Sequence, residues 1–204
     1  MNKSQLISYL RNYFPNHIIK AFEYIKREDF IPKEYKKYAY EDTPIPIHET
    51  GATISQPYTI AFMLDKLELK PNSEQKTLEI GSGSGYVLAL IEKITKGKTY
   101  GVEIIKHLAD KSKKLLKDNK NIIIIHKSGI KGLSRHAPYD RILVSASIKD
   151  KKVLDVLVKQ LKNNGIIVAS VGYSVIKIKK QEIKGKIKIE TREFPGFVFV
   201  PLVD

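Results

Sequence analysis

Three glycines, Gly81, Gly83 and Gly85, stand two residues apart between an apolar run ending Leu78-Glu79-Ile80 and a second run opening at Tyr86. Glycine carries no Cβ and reaches left-handed backbone conformations, so such a turn lets main-chain N–H groups approach a ligand closely. Where a strand gives way to a helix, those N–H groups also lie at the positive end of the helix. Two carboxylates flank the turn. Glu79 precedes it, and Glu103 closes the next apolar segment, where an acidic side chain can accept hydrogen bonds from both hydroxyls of a ribose. The set predicts a site for a nucleoside-bearing ligand.

The dinucleotide pattern Gly-x-Gly-x-x-Gly requires glycine at position 86, which is Tyr86. A carboxylate at Glu79 is poorly placed beside a pyrophosphate, whereas it attracts an amino group and a sulfonium. S-adenosylmethionine is therefore the expected cofactor. The alternatives are NAD or another nucleotide, or glycines that merely turn the chain beside a solvated Glu79.

The elements that must position these residues are legible from periodicity. Residues 77–80, 99–102, 122–125, 139–145 and 165–171 read as strands, and residues 86–94, the stretch up to about 116, and 153–161 read as helices. Alternation of this kind predicts βαβ units with right-handed crossovers. The four consecutive isoleucines at 122–125 suit a strand covered on both faces. Residues 175–180, 184–191 and 196–203 alternate without helices between them and predict antiparallel additions. Ile176-Lys177-Ile178-Lys179 predicts one face buried and one in water. Ahead of the glycine turn, apolar residues at helical spacing from Leu6 to Ile25 are divided by Pro15 into two short helices, and Pro32, Pro44 and Pro46 punctuate an irregular connector. Residues 50–58 form a turn that starts a further helix through Leu67. The expected fold is thus α/β: a doubly wound, mostly parallel Rossmann-like sheet with antiparallel C-terminal strands and a helical N-terminal extension. The extension is assigned to residues 1–50, packed on the core, and the cofactor-binding domain to residues 51–204.

Composition narrows the function classes. Apolar residues make up 42% of the 204-residue chain, ample for a packed core. No cysteine is present, which excludes a disulfide framework and a thiolate metal site. The five histidines show no metal-ligand spacing, so no metal is expected. Neither a Gly-x-Ser-x-Gly elbow nor a Walker A sequence occurs. No apolar run approaches the roughly 20 residues of a membrane span, and residues 1–5 lead into an amphipathic stretch rather than a leader, so a cytoplasmic protein is expected. The net charge of +14 raises the question of nucleic acid. Yet only five of the 36 basic residues are arginine, the side chain that reads phosphate and bases with a planar fork. The lysines are scattered, and general solvation is the preferred reading. A monomer without nucleic-acid or membrane partners is expected.

Several strings resemble one family. Arg27-Glu28-Asp29-Phe30-Ile31-Pro32, Tyr38-Ala39-Tyr40-Glu41-Asp42, Gly51-Ala52-Thr53-Ile54-Ser55-Gln56-Pro57-Tyr58, the glycine turn itself, Ala137-Pro138-Tyr139-Asp140 and Phe199-Val200-Pro201-Leu202-Val203 are similar, in order and spacing, to the protein-L-isoaspartate O-methyltransferases. The glycine turn is shared by most methyltransferases of this fold. The Thr-Ile-Ser segment and the terminal Val-Pro-Leu are far more specific.

The resemblance implies methyl transfer from S-adenosylmethionine, leaving S-adenosylhomocysteine, to the α-carboxylate of L-isoaspartyl residues in aged proteins. The ester then re-closes to a succinimide, which partly reopens to normal aspartate. By the same resemblance Ser55 takes the place of the active-site hydroxyl. Ala52, Thr53, Ile54, Ser55, Tyr58, Glu79, Gly81, Ser82, Gly83, Gly85, Glu103, Ile104, Ser128 and Gly129 would line the cofactor site. Val200, Pro201 and Leu202 would join Ser55 in holding the substrate. A carboxylate with a pKa near 4 needs no general base at neutral pH, so Ser55 is expected to orient rather than attack. A helix N-cap is its alternative role.

Three departures from the family pattern stand out. Lys127-Ser128-Gly129 replaces Gly-Asp-Gly, whose acid lies near the adenine. Ser145-Ala146-Ser147-Ile148-Lys149 lacks the usual prolines. The chain stops at Asp204 without the short tail that some relatives fold over the cofactor. Methylation of another carboxylate or of RNA, or a non-catalytic cofactor binder, are the alternative functions.

Overall fold

A computed structural model describes residues 1–204. Asn2 Oδ1 accepts from the Gln5 backbone while Gln5 Oε1 accepts from the Asn2 backbone, a reciprocal cap that starts α1 (Lys3–Arg11). Pro15 separates α1 from α2 (Asn16–Tyr24). The connector is two 3-10 turns, Arg27–Asp29 and Lys33–Tyr38, followed by a short antiparallel pair, β1 (Ile45–Pro46) with β2 (Thr53–Ile54). Next comes α3 (Pro57–Lys66), with proline at the first turn, where its missing N–H breaks no helical bond.

The rest alternates: β3 (Thr77–Ile80), α4 (Tyr86–Thr95), β4 (Thr99–Glu103), α5 (Lys106–Leu115), β5 (Ile122–His126), β6 (Tyr139–Ile148), α6 (Lys152–Lys159), β7 (Leu161–Val171), β8 (Ser174–Ile183) and β9 (Lys186–Pro195). One seven-stranded sheet has the order β5-β4-β3-β6-β7-β8-β9. Its pairs are parallel from β5 to β7 and antiparallel from β7 to β9. The chain runs outward from β3 to β5 and then crosses to the other side of β3 to lay down β6. Strand order therefore reverses at β3, and the carboxyl ends of β4, β3 and β6 border the crevice where open α/β sheets bind ligands.

Period-two alternation sends side chains to both faces. Leu143, Ile166 and Val168 join one cluster with apolar residues of α1 to α4, so the N-terminal helices share a core with the sheet. Ile142, Val144, Ile167 and Ala169 join the other cluster, under Val153, Leu154 and Leu157 of α6. No helix is long and apolar enough to cross a membrane.

The isoleucines of β5 meet apolar residues on both faces, as expected, although β5 is the edge of the parallel sheet and only Ile124 is fully buried. The structure corrects another expectation. Residues 196–203 form no strand. They run as a strap whose only ladder contact is a parallel bridge between Pro201 and Ser147. Their alternation has another cause: the Phe197 ring stacks on Phe62 of α3, while Phe199 packs against the helical cluster. In the antiparallel hairpin, Ile176 and Ile178 are buried, as the alternation predicts, while Lys177 and Lys179 are only partly in water and Lys177 pairs with Glu68.

Candidate active site

The glycine turn leaves β3 with Gly81, Gly83 and Gly85 at φ of +74°, +50° and +83°, backbone that only glycine adopts freely. Gly85 is the N-terminal cap of α4. The turn is tied to the next strand: Gly81 N–H and Ser82 N–H both donate to the Val102 carbonyl, at 2.9 and 3.2 Å. Close packing enforces the glycines. A Cβ on Gly85 would lie 2.8 Å from Leu116, and one on Gly83 would lie 3.2 Å from the tip of Ile47.

Glu103, at the end of β4, is 5% exposed. Its Oε2 accepts from Gly83 N–H at 2.7 Å and its Oε1 from Ile105 N–H at 2.8 Å. It braces both turns, and each oxygen keeps a further acceptor site. Glu79, inside β3, is 1% exposed. Its Oε1 accepts from Ser145 Oγ at 2.7 Å, whereas its buried Oε2 has no partner within the chain. Burial pushes the Glu79 carboxyl up to about 8; the Ser145 hydrogen bond works against this and the charge of Glu103 adds to it. A buried, unpaired carboxylate oxygen is costly and calls for a partner from outside the chain.

Three connected hollows meet around these residues. The largest, about 380 Å³, has Glu103, Ile104 and Gly129 on one wall, Ala52 and Thr53 on another, and the strap residues Val200 to Val203 across it. That volume lies within the about 300–1,000 Å³ of small-molecule sites. A tighter one between the glycine turn and Ser55 reaches Glu79, Ser82 and Ile54. A third, of about 240 Å³, opens beside Ser55, Gln56 and Thr59 under Phe199. Thr53 and Ser145 line all three, so the hollows form one trough, with Ser55 between the second and third. No lysine or arginine lines the third.

The structure thus gathers most of the residues singled out from sequence. Ser55 does not cap α3: the cap is Gln56, without a side-chain bond, and Asp42 Oδ1 instead accepts from Tyr58 N–H at 2.7 Å. The Tyr58 ring turns away from the trough into a cluster with Tyr9, Tyr13 and Phe14. Val200, Pro201 and Leu202 are held over the trough by Ser147, whose N–H donates to the Val200 carbonyl and whose carbonyl accepts from Leu202 N–H, both at 2.8 Å. The strap itself thus forms one side of the large hollow. It ends at Asp204, whose Oδ1 accepts from Ser128 Oγ at 2.5 Å, so a carboxylate stands next to the position where the family pattern has its acid.

Sequence reasoning missed Ser145, Phe199, Gln56 and Thr59. Ser145 had one available signal: it follows the apolar core of the strand next to β3, at the reversal of strand order. The other three depend on where the strap and α3 meet, which no local pattern announces.

The family model for protein-L-isoaspartate(D-aspartate) O-methyltransferase matches residues 1–204. The chain is 36% identical over 211 residues to a protein-L-isoaspartate O-methyltransferase of Methanothrix thermoacetophila, covering 100% of this chain and 95% of the relative. It is 40% identical over 193 residues to that of Petrotoga mobilis, covering 91% and 86%. A solved Plasmodium falciparum structure described as a protein-L-isoaspartate O-methyltransferase, in complex with S-adenosyl-L-homocysteine, superposes with a TM-score of 0.80 at 25% identity, covering 100% of this chain and 99% of that one. With the glycine turn, its two carboxylates and the Ser55 loop gathered in one trough, and with a match along its whole length, the chain belongs to the protein-L-isoaspartate(D-aspartate) O-methyltransferase family.

Proposed function

We propose that Glu79 and Glu103 seat S-adenosylmethionine in the trough and that Ser55 orients the substrate carboxylate toward it. As a member of its family the chain is an S-adenosylmethionine-dependent O-methyltransferase that acts on L-isoaspartyl residues of proteins. The observation that carries the residue assignment is the unpaired Oε2 of Glu79, buried at the wall of the trough within the same hollow as Ser55.

When bound, the cofactor supplies an electrophilic sulfonium methyl. The residues present fit it. Glu79 offers a buried acceptor to the cationic amino-acid end, and Glu103 offers acceptor sites to a ribose. Gly129, with Ser128 and Asp204 beside it, falls at the outer end of the large hollow, where an adenine would lie. Gly81, Ser82, Gly83 and Gly85 form the bend against which the nucleoside packs, and Ala52, Thr53, Ile54 and Ile104 close its sides.

The substrate enters through the third hollow. With the cofactor in place, one isoaspartyl oxygen would receive its methyl group and the sulfur would keep the bonding pair, so that a carboxylate and a sulfonium would give a neutral ester and a neutral thioether. The carboxylate is already ionised at neutral pH, so the chain need move no proton. Its work is orientation, a contribution of roughly 7–11 kcal/mol in favourable systems. Ser55 donates to one carboxylate oxygen and leaves the other facing the methyl. Gln56 and Thr59 are further neutral donors. A lysine or arginine in their place would pair with the carboxylate and blunt it as a nucleophile. Val200, Pro201 and Leu202, with Phe199, hold the peptide backbone and exclude water from a reaction in which charge disappears.

The proposal extends to a cytoplasmic monomer, a location that the cysteine-free composition suits. Incubation with labelled methyl donor and paired peptides that differ only in isoaspartate against aspartate tests the reaction. Base-labile label on the isoaspartyl peptide alone is expected; label on RNA, or on both peptides, overturns it.

A further inference from the structure

Arg27 is 1% exposed and ranks among the most deeply buried large side chains of the protein. It lines none of the three hollows that form the trough. Its guanidinium gathers four backbone carbonyls. Nη1 donates to Ala39 at 2.9 Å and to Glu41 at 3.3 Å; Nη2 donates to Thr43 at 3.0 Å and to Ser55 at 3.1 Å. No carboxylate hydrogen-bonds to it. Burying a cation among carbonyls alone is an expensive way to fill a core, where apolar residues of similar volume commonly serve as well or better. What a guanidinium offers that they cannot is a rigid planar fork of donors.

The last of the four acceptors gives the fork its meaning. The Ser55 carbonyl belongs to the peptide plane joining Ser55 to Gln56, so its bond to Nη2 restrains the ψ torsion of Ser55 and with it the position from which the side chain departs. The same Nη2 holds Thr43, and the loop containing Thr43 supplies Asp42, which accepts from Tyr58 N–H at 2.7 Å and from Gln56 Nε2 at 3.3 Å. The segment after Ser55 is thus held twice from one loop, and Arg27 holds that loop. On the other side, the pairing of Thr53 and Ile54 with β1 fixes the approach. Burial lowers the Arg27 pKa to about 10, so the fork stays fully protonated at neutral pH.

We infer that Arg27 is a positioning residue for methyl transfer, setting the orientation of Ser55 through its carbonyl without touching cofactor or substrate. The inference rests on the role proposed above for Ser55.

A double-mutant cycle separates it from a purely structural role. Arg27→Lys keeps the charge but not the fork. It should lower kcat on an isoaspartyl peptide roughly 10- to 100-fold, the scale of an ångström-sized misplacement, while the Kd for S-adenosylhomocysteine changes less than about threefold. In a Ser55→Ala background the same substitution should cost little further kcat, because the group it positions is gone. An equal loss in both backgrounds overturns the role of Arg27 and leaves that of Ser55 standing. Full turnover in Ser55→Ala alone overturns the role of Ser55 and takes this inference with it. Should Arg27→Lys not fold, Arg27→Gly with added guanidinium serves. Recovery of kcat when Ser55 is present, and none in Ser55→Ala, supports the inference; recovery in both overturns it.

Discussion

Glu79 and Ser145 meet at 2.7 Å across the neighbouring strands β3 and β6, and this is the only hydrogen bond of a carboxylate otherwise sealed from solvent. One oxygen is satisfied from within the fold; the other is buried without a partner, in a residue that lines the trough.

With the cofactor seated as proposed, that arrangement should make its binding pH-dependent. Burial holds the Glu79 carboxyl near 8, against an ordinary value of 4.5. Between these values the folded chain keeps a proton that the unfolded chain releases, so this group's contribution to stability falls as pH rises from about 4.5 to 8 and then levels off. A cationic ligand prefers the ionised form. Affinity for S-adenosylmethionine should therefore rise from pH 6 to pH 8, by up to roughly tenfold per unit, with release of nearly one proton near pH 7. Titration calorimetry in buffers of different ionisation enthalpy measures both. Glu79→Gln should bind more weakly and lose the pH dependence. A flat wild-type profile across this range rules out Glu79 as the cation's partner.

Ser145→Ala probes the same pair from the other side. The hydroxyl lowers the Glu79 pKa, so its removal should move the midpoint of the affinity profile to higher pH. Weaker binding at pH 7 that recovers above pH 9 is the expected signature. Weakening by one constant factor at every pH would mean that Ser145 contacts the ligand instead.

How far the site was legible follows from the range of each interaction. The glycine turn and Glu103 declare themselves because strand, turn, helix and strand follow one another along the chain, and spacing alone places them. Ser145 reaches Glu79 only through the register that sets Leu143 beside Glu79, a pairing 64 residues apart. The isoleucines of β5 announce a strand covered on both faces, but not that it is the sheet edge, because composition reports what touches a strand and not how many neighbours it has; strand order is a property of the whole sheet. Residues 196–203 read as a strand because their aromatic residues do alternate, though against helix α3 and the trough rather than across a ladder. Arg27 sits in a recognisable string, but its function needs carbonyls from residues 39, 41, 43 and 55 to converge on one point.

Gly83→Val tests the turn. Valine at a φ of +50° is strained in backbone and side chain alike, and its Cβ starts 3.2 Å from Ile47, on the roof of the trough. A strain of about 1–3 kcal/mol should lower Tm by roughly 2–12 °C and leave the fold in place. Binding of S-adenosylhomocysteine should be lost. Retention of circular dichroism together with unchanged affinity would show that the nucleoside lies elsewhere.

The strap offers a test of how the adenine end is read. Ser128 occupies the position of the family's acid and cannot itself provide a carboxylate, but its hydroxyl holds Asp204 at 2.5 Å, next to Gly129 and Val203 of the large hollow. A carboxylate there would accept from the exocyclic amino group of an adenine placed as proposed, and a charge-assisted bond of this kind is worth about 1.5–3 kcal/mol. Asp204→Asn should therefore weaken S-adenosylhomocysteine binding about tenfold. It should weaken binding of the inosyl analogue, which carries oxygen in place of the amino group, far less. Ser128→Ala should give a smaller version of the same pattern, because the carboxylate loses its tether but not its charge. Equal weakening of both ligands by Asp204→Asn would assign Asp204 to closing the strap and leave the amino group to the backbone around Gly129.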